Sequence, residues 1–400
     1  MSEVRFPLLI QPVYDKHLNW NGFSMVLPEG VSASTSIFPQ LADEWASFAA
    51  QPQFRFFVSL HNEWLSLEMP EIAFPASQVV FVINERQAQD QELLGRCQQL
   101  RGKGFRFAVY CGADAILSRP EIADIAMLDA KTAKDALPES GWRKVAQSEA
   151  KLFAAAIDSL ELFDWAVEKN FTLYTFATLE GFRNGKDKLQ GSSRVTLMKL
   201  LTLVTQDAEN HELESILRHE PKLSFDLLRL VNSASMGLRT KVSSFGHALT
   251  ILGRRQLQRW LQLLLFAQQK QAGSGPSVLM QRAAMRGRLM ELLTKGVSAS
   301  PTREFQEQAF MVGVFSQLDI LMNDTLDNIL KSLHLADDIE AALLRHEGTL
   351  GEMLRLVERA ENFDFGETGQ ILDKLNIAPE FFSLAQASAL NWTHRLNVSD

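Results

Sequence analysis

The chain has 400 residues, more than one hydrophobic core usually supports, so two or three domains are expected. Its 46% hydrophobic and 22% charged residues exclude a disordered chain, and a net charge of −8 argues against a protein that coats nucleic acid. Two cysteines, Cys97 and Cys111, cannot build a disulfide framework or a four-cysteine zinc site. The start, MSEVRFPLLIQPVY, lacks a signal-peptide profile, and no apolar run reaches the roughly 18 residues of a membrane span. A cytoplasmic protein without membrane contact is expected.

From Phe6 to about Gly181, short apolar runs alternate with helix-like stretches. The runs predict strands at Leu8–Val13, Phe23–Leu27, Phe56–Leu60, Val79–Ile83, Phe105–Tyr110, Ile125–Leu128, Leu152–Ala156 and Phe171–Phe176. Asp90–Arg101 and Leu160–Lys169 carry apolar residues at helical spacing. Such alternation means an α/β domain, and eight strands favour a barrel over an open sheet. Residues 183–193 are polar and rich in Gly and Ser, the composition of a linker. Beyond them nearly every apolar residue recurs with helical period, so an all-α bundle is expected over 194–400.

One stretch of the second half is specific in type and spacing. His219-Glu220-Pro221-Lys222-Leu223-Ser224 leads into Leu227-Leu228, then Asn232-Ser233-Ala234, then Ser243-Ser244-Phe245-Gly246-His247-Ala248 and Leu252-Gly253. This resembles the HDOD domain. Ala309–Asp319 and Ala389-Leu390-Asn391-Trp392 add a weaker likeness. The whole chain is similar to bacterial proteins that join a cyclic di-GMP phosphodiesterase-like EAL domain to HDOD. The resemblance implies a TIM-type (βα) barrel over 1–182 followed by the HDOD bundle.

The family's catalytic pattern is not kept. Gln11-Pro12-Val13 survives from the opening strand, but the signature Glu aligns with Ser24, the metal-binding Asn with Ser59 and the next Glu with Val82, with Glu85 nearby. The paired aspartates fall at Tyr110 and Cys111, the catalytic Lys at Met127, a later Glu at Ala155 and the Gln near the last strand at Thr175. Two divalent cations need several hard oxygen ligands to activate water, and these residues do not supply them. No histidine precedes Asp, no HExxH is present and no P-loop is present, so no metal or cofactor is expected and the chain reads as no enzyme.

Charge is unevenly placed: net −6 over 1–190, +9 over 191–303 and −11 over 304–400. No acid occurs between Asp226 and Glu291. The basic stretch offers Arg239, Arg254, Arg255 and Arg259 as partner contacts, but the favoured reading is that basic and acidic helices neutralise each other inside one domain. No aromatic platform is interleaved, so nucleic acid is not the expected partner. Pro221, Asn232, Ser233, Ala234 and Gly253 are read as structural, capping and turning helices. The amphipathic stretch Arg254–Leu265 is read as core packing, and Cys111 as an inert thiol.

The expectation is therefore a signalling regulator or scaffold that acts on other signalling proteins. Cyclic di-GMP binding is disfavoured by the lost ligands, and homodimerisation is left open. A non-hydrolysing receptor for cyclic di-GMP or another nucleotide is the first alternative. A nucleic-acid binder using residues 229–288 is the second.

Overall fold

The computed structural model describes residues 6–28, 37–62, 74–110, 123–137, 142, 150–181, 191–205, 208–218, 253, 257–259, 261–263, 278–331, 333 and 335–397. Two compact units divide the chain. The first takes Met1–Phe182 together with Ala360–Gly369 and Pro379–Ala387, and the second takes Arg183–Arg359, Gln370–Ala378 and Ser388–Asp400. No helix among the described residues is long and apolar enough to cross a membrane.

The first unit is built on a closed barrel of eight strands in sequential order. They are β1 (Leu9–Tyr14), β2 (Trp20–Val26), β3 (Arg55–Ser59), β4 (Val79–Asn84), β5 (Arg106–Tyr110), β6 (Ile125–Asp129), β7 (Lys151–Ser159) and β8 (Leu173–Gly181). Each overlaps one of the apolar runs that predicted a strand. From β2 to β8 neighbouring strands run parallel. Strand β1 does not: it is antiparallel to both β2 and β8, unlike the strands of an all-parallel barrel. The reason is local. Only five residues, Asp15–Asn19, join β1 to β2, and a parallel neighbour needs a crossover of a dozen or more. Asp15 holds this turn, its Oδ1 accepting from the backbone N–H of His17 at 2.8 Å and of Asn19 at 2.9 Å, while Leu18 takes a left-handed φ of 62°.

The two helical stretches foreseen in this unit form as Gln91–Gly102 and Leu160–Glu168. Side chains cap their first turns: Asp90 accepts from the N–H groups of Glu92 and Leu93, and Ser159 from that of Leu162. Side chains along each strand alternate between the barrel axis and the surrounding helices. Inside lie Val13, Phe57, Val80, Ala108, Ile125, Met127, Phe153, Ala155 and Leu173, with Val82 packed against them. Phe57 and Phe153 meet edge to face at 5.1 Å across this interior. Outside, Trp45 is fully buried over Phe23 and Phe56.

The described residues of the second unit are helical. Two of its helices, Val278–Val297 and Arg303–Phe315, approach so closely that side chains are excluded at the crossing. A Cβ on Gly313 would lie 2.6 Å from the carbonyl oxygen of Arg286, and one on Gly287 would lie 2.7 Å from Val314 Cγ2.

The barrel interior makes a direct stability prediction. Phe57→Ala opens a cavity beside Phe153 and should cost the first unit about 3–5 kcal/mol. Urea titration followed by amide exchange in the strand peptides measures it; a loss below about 1 kcal/mol would mean the two rings do not support each other.

Candidate functional site

Two regions hold the residues singled out by the sequence. In the first unit, register decides what faces the axis, because laterally paired residues in a sheet point to the same side. Ser24 pairs with the interior Phe57, Ser59 with Val82, Tyr110 with the interior Met127, and Asp129 with the interior Ala155. Thr175 stands two residues beyond the interior Leu173 on β8. Ser24, Ser59, Val82, Tyr110, Met127, Ala155 and Thr175 therefore share one lining. Cys111 lies outside the described residues.

Their surroundings differ. Met127 and Ala155 belong to the apolar filling, with Val82 against it. Ser24 and Thr175 are buried hydroxyls. Thr175 Oγ1 accepts from the N–H of Ala156 at 3.2 Å, where β7 bulges and Ala156 adopts a φ of 58°. That bond satisfies a donor the bulge takes out of the ladder. Tyr110, at the C-terminal end of β5, is 41% exposed. Glu85 is exposed at the start of the helix Glu85–Gln89, beyond Asn84, which caps that helix in a capping box with Gln87. Among the described residues no three His, Cys, Asp or Glu side chains converge as a metal site.

In the second unit, Pro221, Asn232, Ser233, Ala234, Arg239, Arg254 and Arg255 lie outside the described residues. Gly253 has a φ of +74°, a backbone conformation that glycine takes without strain. Arg259, read as a candidate partner contact on the surface, is instead 7% exposed. Its guanidinium sits 3.9 Å from the centre of the Phe310 ring, and its Nη2 lies 2.7 Å from Glu291 Oε1. The other oxygen of Glu291 is 2.6 Å from Arg288 Nη1, and Arg288 lies over Trp392, which meets Phe310 edge to face. Two arginines, one glutamate and two aromatic rings thus close a circuit inside the helical unit.

A second chain of charge runs beside it. Arg286 Nη1 donates to Ser316 Oγ at 2.9 Å and lies 3.4 Å from Glu358 Oε1, while Glu358 Oε2 is 2.8 Å from His346 Nε2. Burial pushes the Glu358 carboxyl up. The His346 hydrogen bond and the charges of Arg286, His346 and Arg359 outweigh it, so the group sits below its ordinary value. Arg259, Arg286 and Arg288 of the basic stretch are therefore paired with acids within the unit. The sequence signal for this was available: Glu291 is the acid that ends the long acid-free run. The aromatic partners Phe310 and Trp392 fall in the two stretches of weaker HDOD likeness.

Residues 193–350 match the HDOD domain family. The chain is 25% identical over 387 residues to a Vibrio cholerae protein named cyclic di-GMP phosphodiesterase CdgJ, covering 94% of this chain and 88% of that one. It is 24% identical over 361 residues to the Bacillus subtilis protein YuxH, covering 86% and 84%. The EAL domain of FimX from Pseudomonas aeruginosa, solved with cyclic di-GMP, is 16% identical, covering 44% of this chain and 90% of that domain at a TM-score of 0.30. The likeness is thus to HDOD over residues 193–350 and, over nearly the whole chain, to a protein named a cyclic di-GMP phosphodiesterase.

These findings correct one expectation. The substitutions at Ser24, Ser59, Val82, Tyr110, Met127, Ala155 and Thr175, with Cys111, led to the reading that the chain is no enzyme. A relative matched over 94% of the chain is named a phosphodiesterase, so that conclusion falls. The physical reason is that a phosphodiester and its metal ions need oxygen ligands within reach of the barrel mouth, at whatever positions supply them. Loss at a fixed set of positions does not exclude turnover.

The paired charges predict two outcomes. Glu291→Ala leaves Arg259 and Arg288 without a counter-charge and should cost the second unit about 3–5 kcal/mol, read by chemical denaturation. Because Glu358 is held below its unfolded value, its contribution is complete above roughly pH 4.3 and is lost as pH falls through the folded value. Glu358→Gln should therefore flatten the acid limb of the stability curve and leave its alkaline limb unchanged.

Proposed function

We propose that this chain is a cyclic di-GMP signalling regulator whose output is carried by contacts with other signalling proteins. The observation that carries the reading is a match spanning both halves of the chain to a protein named for cyclic di-GMP. The HDOD match in the helical half supports it. A barrel lined at its core by Phe57, Met127, Phe153 and Ala155 has little room for a solvated ion pair along its axis. Ligand chemistry therefore belongs to the strand ends and the loops beyond them. Helical surfaces suit protein contacts, since fold leaves function to the sites grafted on it.

A nucleotide-receptor reading has one specific observation in its favour. Tyr110 stands half open at the end of β5, registered between Asn84 and Met127, where an aromatic face could take a purine.

The deciding experiment expresses the full chain in a bacterial host that uses cyclic di-GMP, with motility and cellular cyclic di-GMP as readouts. The reading expects motility to change. No change in either readout sinks it. Purified chain incubated with cyclic di-GMP and Mg²⁺ or Mn²⁺ then sorts the mechanism: linear dinucleotide product places turnover at its centre. Saturable binding without product, weakened at least five-fold by Tyr110→Ala, makes the chain a receptor.

A further inference from the structure

The edge of β1 that faces away from β2 is where the barrel must close. Residues two apart on a strand send their N–H and C=O groups to the same side, so Leu8, Ile10, Pro12 and Tyr14 share one edge. Tyr14 meets Tyr174 of β8 there, the one residue pair joining these strands among the described residues. Pro12 has no N–H to offer. Leu8 and Ile10 are bonded by the last helix of the chain, Pro379–Asn397. Leu8 N donates to Ser383 Oγ at 2.9 Å, Ile10 N donates to Gln386 Oε1 at 3.3 Å, and Gln386 Nε2 donates to Leu8 O at 3.0 Å. One carboxamide thus takes both a donor and an acceptor that a neighbouring strand would have taken. Beside it, Trp45 Nε1 donates to the carbonyl oxygen of Ala387 at 3.1 Å.

The position of this contact gives it meaning. Because β1 runs against its neighbours, its start lies beside the end of β2, with Leu9 paired to Val26. Leu8 and Ile10 are therefore at the mouth end, the face on which α/β barrels bind their ligands. Pro379–Ala387 belongs to the same compact unit as the strands, and Phe382, Ser383 and Gln386 are buried there. The bonds run from side chains to main chain. When the segment leaves, water can take up each freed backbone group, and the principal cost is exposure of the buried Phe382, Ala385 and Ala387. Separating β1 from β2, by contrast, breaks a ladder six residues long.

We propose that Pro379–Ala387 is a latch on the barrel wall, closing the seam between β1 and β8 at the mouth and opening it by withdrawal of Ser383 and Gln386. The latch is a device of the fold and holds whether or not cyclic di-GMP is the ligand.

Amide exchange measured by mass spectrometry on the full chain tests it. Gln386→Leu keeps most of the side chain's bulk and removes two of the three bonds, and Ser383→Ala removes the third. Exchange in peptides covering Leu8–Tyr14 should accelerate at least ten-fold in Gln386→Leu and less in Ser383→Ala, while Arg106–Tyr110 is unchanged. Unaltered exchange at Leu8–Tyr14 in both variants overturns the latch. Equal acceleration of all eight strands in both variants also overturns it, because the segment would then be one part of a single cooperative fold. Should Gln386→Leu fail to fold, Ser383→Ala decides by the same comparison.

Discussion

A closed sheet tolerates no unmatched edge, since each buried backbone N–H and C=O without a partner costs about as much as a lost hydrogen bond. That constraint organises the first unit. Five residues between β1 and β2 are too few for a crossover, so β1 turns back on itself. Among the described residues seven joins carry three to six residue pairs each, and one, the meeting of β1 with β8, carries Tyr14 and Tyr174 alone. The poor join then calls for donors and acceptors from elsewhere, and Ser383 and Gln386 supply them. A turn of five residues near the start of the chain thus fixes what its last helix must carry.

The second unit answers a different constraint. A buried arginine is tolerated only when paired: Glu291 serves the buried Arg259 and the partly buried Arg288, while Phe310 and Trp392 cover their faces. Close approach of the helices Val278–Val297 and Arg303–Phe315, allowed by Gly287 and Gly313, brings Arg286 to Ser316. Replacing such a largely buried triad by apolar residues is often neutral or favourable, so its presence is weak evidence of how tightly the helices hold.

All eight strands were legible because buried strands are short apolar runs, and β3 to β8 differ from the expected spans mainly at their ends. The reversal of β1 was not read, although the short gap Asp15–Asn19 carried the signal. The inward facing of Ser24, Ser59, Val82 and Met127 follows from alternation, once the strands are placed. Arg259 was misplaced because an arginine in an acid-free stretch reads as surface, and its partner stands 32 positions further on. The contacts of Ser383 and Gln386 with Leu8 and Ile10 have no local pattern at all. They join side chains to main chain across at least 375 positions, and a buried Gln looks like any other polar residue on a helix. The reading of the chain as no enzyme failed for another reason: absent ligands at fixed positions describe a pattern, while turnover depends on whichever oxygens reach the substrate.

The distance between Leu8 and Gln386 also has a consequence for synthesis. At roughly 5–20 residues per second, the latch segment leaves the ribosome on the order of 10–40 s after β8. Through that interval all eight strands are available while the mouth-side edge of β1 has no partner. An exposed strand edge is a template for pairing with another chain. The nascent protein therefore passes through a period in which its first half is ready to fold and also most open to joining a neighbour on the same message, and synthesis of Pro379–Ala387 ends it.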